Sequence, residues 1–306
     1  VKYTNKFNLP DTIVRAAYVN NDKYNKGDVH RSVTQLIQPP RIDMLRKAHF
    51  VDMEKDISEE WWALFGSAVH HILEMGASTP TLVEERLACE IDGWKVSGMI
   101  DLQEITIDGL VLSDYKVTTA FALMQEEVKP EWINQLNLLA YLVHCNKPEF
   151  RIAALQIVAI VRDWQRTQAA MDAMYPVAPV VRLKVPLWSV KRQENYLRER
   201  VRLHRETEML HEIGVPLPYC SDEERWMRDS KWAVIKEGSK KAARVFFNEA
   251  EAKEHLKERK NGYKVEFRPG KSVRCDGDYC GVAKWCEQWR HMKEHDNDQA
   301  EQGGAG

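Results

Sequence analysis

The sequence predicts an α/β protein with a mixed central sheet flanked by helices. Three observations carry that expectation. Between Ser58 and Trp164 the patterns run helix, strand, strand, strand, helix, strand. Within that span Asp108-Gly109, a strong two-residue hairpin signal, separates two apolar segments. Residues 152–161 then form an almost unbroken apolar run, as expected of a strand covered on both faces. Helices and strands mixed in this way bury their apolar faces only as stacked layers.

The elements follow in order. Val29 to Ile37 reads as a short helix entry closed by Pro39-Pro40, within an N-terminal helical segment spanning 1–57. Ser58 is placed to cap the next helix, with Glu59 and Glu60 in its first turn. Trp62, Phe65, Val69, Ile72 and Leu73 recur at helical spacing and predict a buried stripe. Leu82 to Ile91, Val96 to Ile105 and a return from Leu110 read as strands. Glu131 to His144 is a helix with Trp132, Leu136, Leu139, Ala140 and Val143 on its apolar side and Gln135 beside it. Trp188 to Ile213 reads as a long helix dense in Lys and Arg with interleaved Glu, either a salt-bridged solvated face or a phosphate track.

This places a core at 58–215. A second region, 216–294, contains a small ββαβ insertion: Trp232–Lys236, Ala242–Phe247, Glu249–Lys260 and Tyr263–Arg268. Its turn carries Lys236, Lys240, Lys241 and Arg244, either a phosphate-binding hairpin or a charged tip that favours solubility. Residues 295–306 are polar and Gly-rich and read as a disordered tail.

Composition bounds the function. The chain has 306 residues, 44% of them hydrophobic, so a sizeable core is expected. It has no apolar run long enough to span a bilayer and no secretory leader pattern, so a cytoplasmic protein with no membrane partner is expected. A net charge of −2 excludes a uniformly basic surface but not a local cationic channel. Six cysteines in a chain this long do not suggest a disulfide scaffold. Cys89 and Cys145 sit in apolar segments and read as buried small hydrophobes. Cys275, Cys280 and Cys286 have a loop-like spacing that lets three thiolates converge, and Cys220 precedes the inserted unit; four thiolates fit an iron-sulfur cube or a tetrahedral zinc ion.

The chemistry concentrates between Gly98 and Lys116. Asp101 and Asp114 lie on the two arms of the hairpin and can converge; paired carboxylates repel unless a cation lies between them, and hard oxygen donors suit Mg²⁺ or Mn²⁺. Lys116, two residues beyond Asp114, shares its face and can orient a water or steady a phosphorane. Taken alone, His70 reads as a helix histidine hydrogen-bonded in the core, and His71 points about 100° away. Glu84 and Glu85 read as a solvated face, with Glu85 a minor catalytic candidate.

Gly98-Met99-Ile100-Asp101 followed by Asp114-Tyr115-Lys116, with Gly66-x-x-x-His70 upstream, resembles the PD-(D/E)XK nuclease superfamily. The closest resemblance is to its RecB-like branch of CRISPR-associated and phage exonucleases. The resemblance is centred on His70 to Tyr141. It implies a restriction-endonuclease-like core and a metal-dependent exonuclease acting on single- or double-stranded DNA ends in recombination, repair or phage DNA processing. For a phage-encoded enzyme the location would be the host cytoplasm. It further implies that His70, Asp101, Asp114 and the Tyr115 carbonyl hold Mg²⁺ or Mn²⁺, with Lys116 and Gln135 catalytic. Arg162 would approach the DNA backbone.

The branch's Gln-x-x-x-Tyr pattern is met at Gln135 but has Leu139 in the fourth place, with Tyr141 further on. A C-terminal cysteine cluster in such proteins holds [4Fe–4S], which favours that group over Zn²⁺ at Cys220, Cys275, Cys280 and Cys286. The N-terminal cysteine that often precedes a Pro-Arg pair is absent at Gln38-Pro39-Pro40-Arg41. A recombination or single-strand-binding protein is a further implied partner. The competing expectations are a non-catalytic DNA-binding or assembly module, a structure-specific endonuclease, and a redox or metal sensor.

Overall fold

The computed structural model describes residues 1–23, 28–78, 81–124, 127–239, 241–259 and 262–294. The chain opens with β1 (Lys2–Thr4), α1 (Asp11–Lys23), β2 (Arg31–Ser32), α2 (Val33–Leu36), α3 (Pro40–Ala48) and β3 (Glu54–Asp56). It continues through α4 (Trp61–Met75), β4 (Thr81–Ile91), β5 (Trp94–Thr106), β6 (Gly109–Thr118), α5 (Ala120–Leu123), α6 (Pro130–Asn146) and β7 (Ile152–Val161). Then come α7 (Arg166–Met171), β8 (Val180–Val185), α8 (Val190–Glu212), β9 (Met227–Arg228), β10 (Lys231–Lys236) and β11 (Ala242–Phe246). The last elements are α9 (Glu249–Lys257), β12 (Tyr263–Arg268), β13 (Lys271–Ser272) and α10 (Val273–Asp276).

The protein is a mixed α/β structure of two units. One comprises Val1–Gln38 and His49–Ile213; the other comprises Pro39–Ala48 and the residues from Gly214 onward. Helix α3 therefore groups with the C-terminal third, although the sequence places it in an N-terminal segment.

The first unit is built on a mixed sheet. β5 pairs antiparallel with β4 on one edge and with β6 on the other, while β6 pairs parallel with β7 and β7 antiparallel with β8. β2 pairs parallel with Val96 and Ser97 of β5, on the edge that β6 occupies further along. Helix α6 packs on this sheet through Leu136, Leu139 and Leu142, which join Val96, Ile100, Leu112, Leu155 and Ile157 in one buried cluster. Close approach requires Gly98: a Cβ there would meet Leu139 Cδ2 at 2.3 Å.

Two hairpin turns set the register. Asp92 and Gly93 both have positive φ, 49° and 77°, and join Ile91 directly to Trp94. In the next hairpin Thr106 pairs with Gly109, so the turn residues are Ile107 and Asp108 and Gly109 begins β6. This shifts the expected Asp108-Gly109 turn by one residue.

Local details also differ from the sequence reading. The expected helix from Val29 resolves into strand β2 and one helical turn capped by Ser32. Asp56, not Ser58, caps the next segment: its carboxylate accepts from the backbone of Lys6 and Ser58 and from the hydroxyls of Thr4 and Ser58. These bonds, led by the one from Lys6, hold its pKa well below the usual carboxylate range. Ser58 instead lies inside a 3-10 turn ahead of α4.

No residue of α4 is buried, and Trp62 and Ile72 are exposed, so the predicted buried stripe is only half covered. Cys89 is half-buried and Cys145 exposed, rather than both being core residues. Along α8 the basic side chains are used internally. Arg198 bonds Glu194 and Asp92, Arg202 bonds Glu199 and Glu206, and buried Arg200 bonds the carbonyls of Leu36 and Gln38.

In the second unit β11, β10 and β12 form an antiparallel sheet with α9 between β11 and β12 in sequence, as the ββαβ pattern predicts. Lys236, Lys241 and Arg244 are exposed on it, while Lys240 and the tail 295–306 lie outside the described residues. A separate core gathers Ile42, Met44 and Leu45 of α3 with Leu217, Cys220, Cys280 and Val282. Among the described residues no helix is long and apolar enough to cross a membrane.

Candidate metal centre and thiol pocket

The hairpin geometry aligns three acids. Counting back from the Ile91–Trp94 pair places Glu84 opposite Asp101, between the ladder pairs Val83–Leu102 and Glu85–Ile100. Asp101 and Asp114 stand one step beyond Leu102–Ser113, where the β5–β6 ladder ends. There the Tyr115 N–H donates to Asp101 Oδ2 at 2.8 Å. The result is a row of carboxylates across β4, β5 and β6.

His70 reaches this row from α4. Its Nδ1 lies 3.6 Å from both Glu84 Oε1 and Asp101 Oδ2. Its Nε2 is 3.2 Å from the Tyr115 carbonyl oxygen. Among the described residues, His70, Glu84 and Asp101 are the set of three metal-ligand side chains whose donor atoms lie within 4.8 Å of one another.

Asp114 is buried and held on both sides. Gln135 Nε2 donates to Oδ1 at 3.0 Å, and Lys116 Nζ lies 2.6 Å from Oδ2. That ion pair lacks hydrogen-bond directionality, leaving the buried Oδ2 without a hydrogen bond. Lys116 keeps 25% of its side chain exposed, enough to reach a bound molecule.

The electrostatics reflect crowding of like charge. Burial, then the neighbouring Asp114, pushes the Asp101 pKa up to about 7. The hydrogen bond to Glu84 raises that of His70, reinforced by the charges of Asp101, Glu84 and Asp114. A cation at this point would relieve the crowding of like charge. An imidazole, carboxylates and a backbone carbonyl form a donor set suited to Mg²⁺ or Mn²⁺.

The structure thus brings together His70, Asp101, Asp114, Tyr115, Lys116 and Gln135. Glu84 is the member that sequence reasoning missed, and the Asp92-Gly93 turn was the signal that could have found it. Glu85 points elsewhere and accepts from Gln103 and Lys147. Tyr141 packs near His144. Arg162 stacks on Trp62, its guanidinium carbon 3.7 Å from the ring centroid.

Within the second unit, Cys220, Cys275, Cys280 and Cys286 line one pocket with Arg41 and Arg225. Arg41 Nε donates to Cys286 Sγ at 3.2 Å, and buried Arg225 Nε has no hydrogen-bond partner. An anionic group among the thiols would suit both donors. Burial pushes the Cys220 thiol up to about 12 and Cys275 up to about 11, and raises Cys280 as well. No three of the four sulfurs meet the 4.8 Å limit that the histidine–carboxylate set meets.

No protein-family model matches the chain, and no curated protein matches it. Among solved structures it is similar to one described as "Crystal structure of SSO0001", with 13% identity, a TM-score of 0.43, and coverage of 63% of this chain and 84% of that one. A likeness of that degree adds nothing to the reading of the site.

Proposed function

We propose that the protein is a divalent-metal-dependent deoxyribonuclease of RecB-like PD-(D/E)XK type that acts as an exonuclease. The observation that carries this reading is the convergence of His70, Glu84 and Asp101 within 4.8 Å, beside the Asp114–Lys116 pair. His70, Glu84, Asp101, Asp114 and the Tyr115 carbonyl would hold Mg²⁺ or Mn²⁺. When bound, the metal supplies Lewis acidity and a water of lowered pKa.

The chain's own residues do the rest. Lys116 places an ammonium where the scissile phosphate gathers negative charge and can hold the attacking water by hydrogen bonding. Gln135 fixes Asp114 Oδ1, which turns Oδ2 toward Lys116. The Tyr115 N–H anchors Asp101 from behind. A non-catalytic nuclease-like module would be expected to lack one of these acids or the lysine; all are present.

The four thiols would hold [4Fe–4S] as a structural staple. That the four cysteines line one pocket with two arginines supports an anionic group there. Arg41 and Arg225 would offset the cluster's negative charge.

The test is digestion of end-labelled single-stranded and duplex DNA and of closed circles, in Mg²⁺ or Mn²⁺ with an EDTA control. Release of nucleotides from ends is expected. Nicking of closed circles would make the protein a structure-specific endonuclease, and inertness toward all substrates would leave a binding module.

A further inference from the structure

Trp62, Gly66 and His70 are spaced four residues apart on α4, so they stack along one row of the helix surface. The row spans ~12 Å and ends at the metal centre. At its far end Trp62 is 51% exposed, with Arg162 over its ring at 3.7 Å. Arg162 is itself exposed, and among the described residues no carboxylate pairs with it. In the middle, a Cβ built on Gly66 would meet nothing within 4 Å.

Arg162 is tied to the site's own strand. Its N–H donates to the Thr118 carbonyl at 3.0 Å, and Thr118 lies two residues beyond Lys116 on β6, ~7 Å along the strand. The next residue, Asp163, receives the Ala120 N–H at 2.7 Å, which brings α5 and its exposed Phe121 to the same end of the sheet. Indole, guanidinium and the open space beside Gly66 thus lead to the carboxylates. An exposed indole with a cation over one face of its ring suits a flat, anionic chain: the opposite aromatic face takes a base and the guanidinium takes a phosphate.

We propose that Trp62 and Arg162 form a nucleobase subsite. One base of the substrate strand stacks on Trp62, Arg162 holds a flanking phosphate, and the backbone passes Gly66 to the metal centre at His70. The inference rests on the nuclease reading above and deepens it. A base in a duplex has its faces covered by its neighbours, so this subsite takes an unpaired nucleotide from a single strand or a frayed end.

The test uses the full chain with Ca²⁺ in place of Mg²⁺ or Mn²⁺, and compares an oligothymidylate with an abasic oligomer of equal phosphate number by fluorescence anisotropy. Wild type should bind the base-bearing oligomer roughly tenfold more tightly. Trp62→Ala should erase that ratio, while Trp62→Phe, which keeps a ring, should retain most of it. Arg162→Gln should weaken both oligomers alike and reduce the salt slope by about one. Gly66→Leu would fill the open space beside the row, where a Cβ meets nothing within 4 Å, and should weaken both.

Equal binding of the two oligomers by wild type, binding of neither, or an unchanged ratio in Trp62→Ala would overturn the subsite. Cleavage in Mn²⁺ is measured in parallel. Metal-dependent cleavage together with equal oligomer binding sinks the subsite alone, whereas absence of cleavage sinks the nuclease reading itself.

Discussion

Glu84 stands across the β4–β5 ladder from Asp101, and both carboxylates approach the same imidazole nitrogen of His70 at 3.6 Å. Glu84 adopts a left-handed backbone conformation, φ +48°, uncommon for a side-chain-bearing residue and typical of strain retained at functional sites. Its neighbour Glu85 turns to Lys147.

The two glutamates should therefore separate on mutation. Glu84→Gln is expected to raise the Mn²⁺ concentration needed for half-maximal cleavage about tenfold or more, because a charged donor is lost. Glu85→Gln should leave that requirement unchanged and lower the melting temperature slightly. A metal titration of both variants checks this; identical curves would remove Glu84 from the centre.

Asp114→Asn and Lys116→Ala should each lower cleavage by at least about 10²-fold, through different losses. Calorimetry should show weakened metal binding in Asp114→Asn and retained binding in Lys116→Ala. Gln135→Ala should slow turnover without changing the metal requirement, whereas His70→Ala should increase it.

Asp101 and His70 give the metal-free chain a definite pH dependence. Asp101 titrates near 7 when folded, against 3.8 as its ordinary value, so from about pH 4 to 7 the folded chain keeps a proton that the unfolded chain has lost. Stability falls as pH rises through that window, and the penalty is complete above it. His70, also raised, stabilises below its ordinary value of 6.5 and loses that contribution as pH rises through its folded pKa. The expected result in EDTA is a steeper fall in melting temperature from pH 5 to 8 for wild type than for Asp101→Asn, with Mn²⁺ restoring wild type at pH 8. Parallel slopes for the two proteins would contradict this account.

Legibility in the sequence followed the range of the interactions involved. The order of elements from Ser58 to Trp164 was readable because alternation and apolar runs are local properties, and the approach of Asp101 to Asp114 and Lys116 because a hairpin joins neighbours. Glu84 was hidden although the Asp92-Gly93 turn fixes its register, since two adjacent acids look equivalent until the strand partner is counted. The apolar period of α4 was real, but period does not say what covers a helix, and here Trp62 and Ile72 stay exposed. Cys145 sits in an apolar stretch yet ends α6 at the surface.

Gly98→Ala tests the packing behind the site. The added methyl would stand 2.3 Å from Leu139 Cδ2 and 3.1 Å from Leu142 Cδ1, so α6 must move. Overpacking of this kind costs about 1–3 kcal/mol, or a fall of ~2–10 °C in melting temperature. Because α6 also carries Gln135, turnover should drop even at temperatures where the variant is fully folded.

Cys280→Ser should bleach the protein and lower its melting temperature, because serine is a poorer ligand for iron. Cleavage by the folded fraction should persist, since hydrolysis draws on the other unit. Cys89→Ser is the control: Cys89 is half-buried beside Cys145 and does not line the thiol pocket, so colour and metal content should be unchanged. A colourless wild type free of zinc, or full stability in Cys280→Ser, would count against the staple.

The grouping of α3 with the C-terminal third also sets a timetable for synthesis. Ile42, Met44 and Leu45 leave the ribosome early, yet Cys280 and Val282, against which they pack, follow roughly 240 residues later. At about 5–20 residues per second that is a delay on the order of 10–50 s, during which the buried side of α3 lacks Cys280 and Val282. A nascent chain halted near residue 215 should therefore bind trigger-type holdases through α3, and its release should coincide with emergence of the last cysteines.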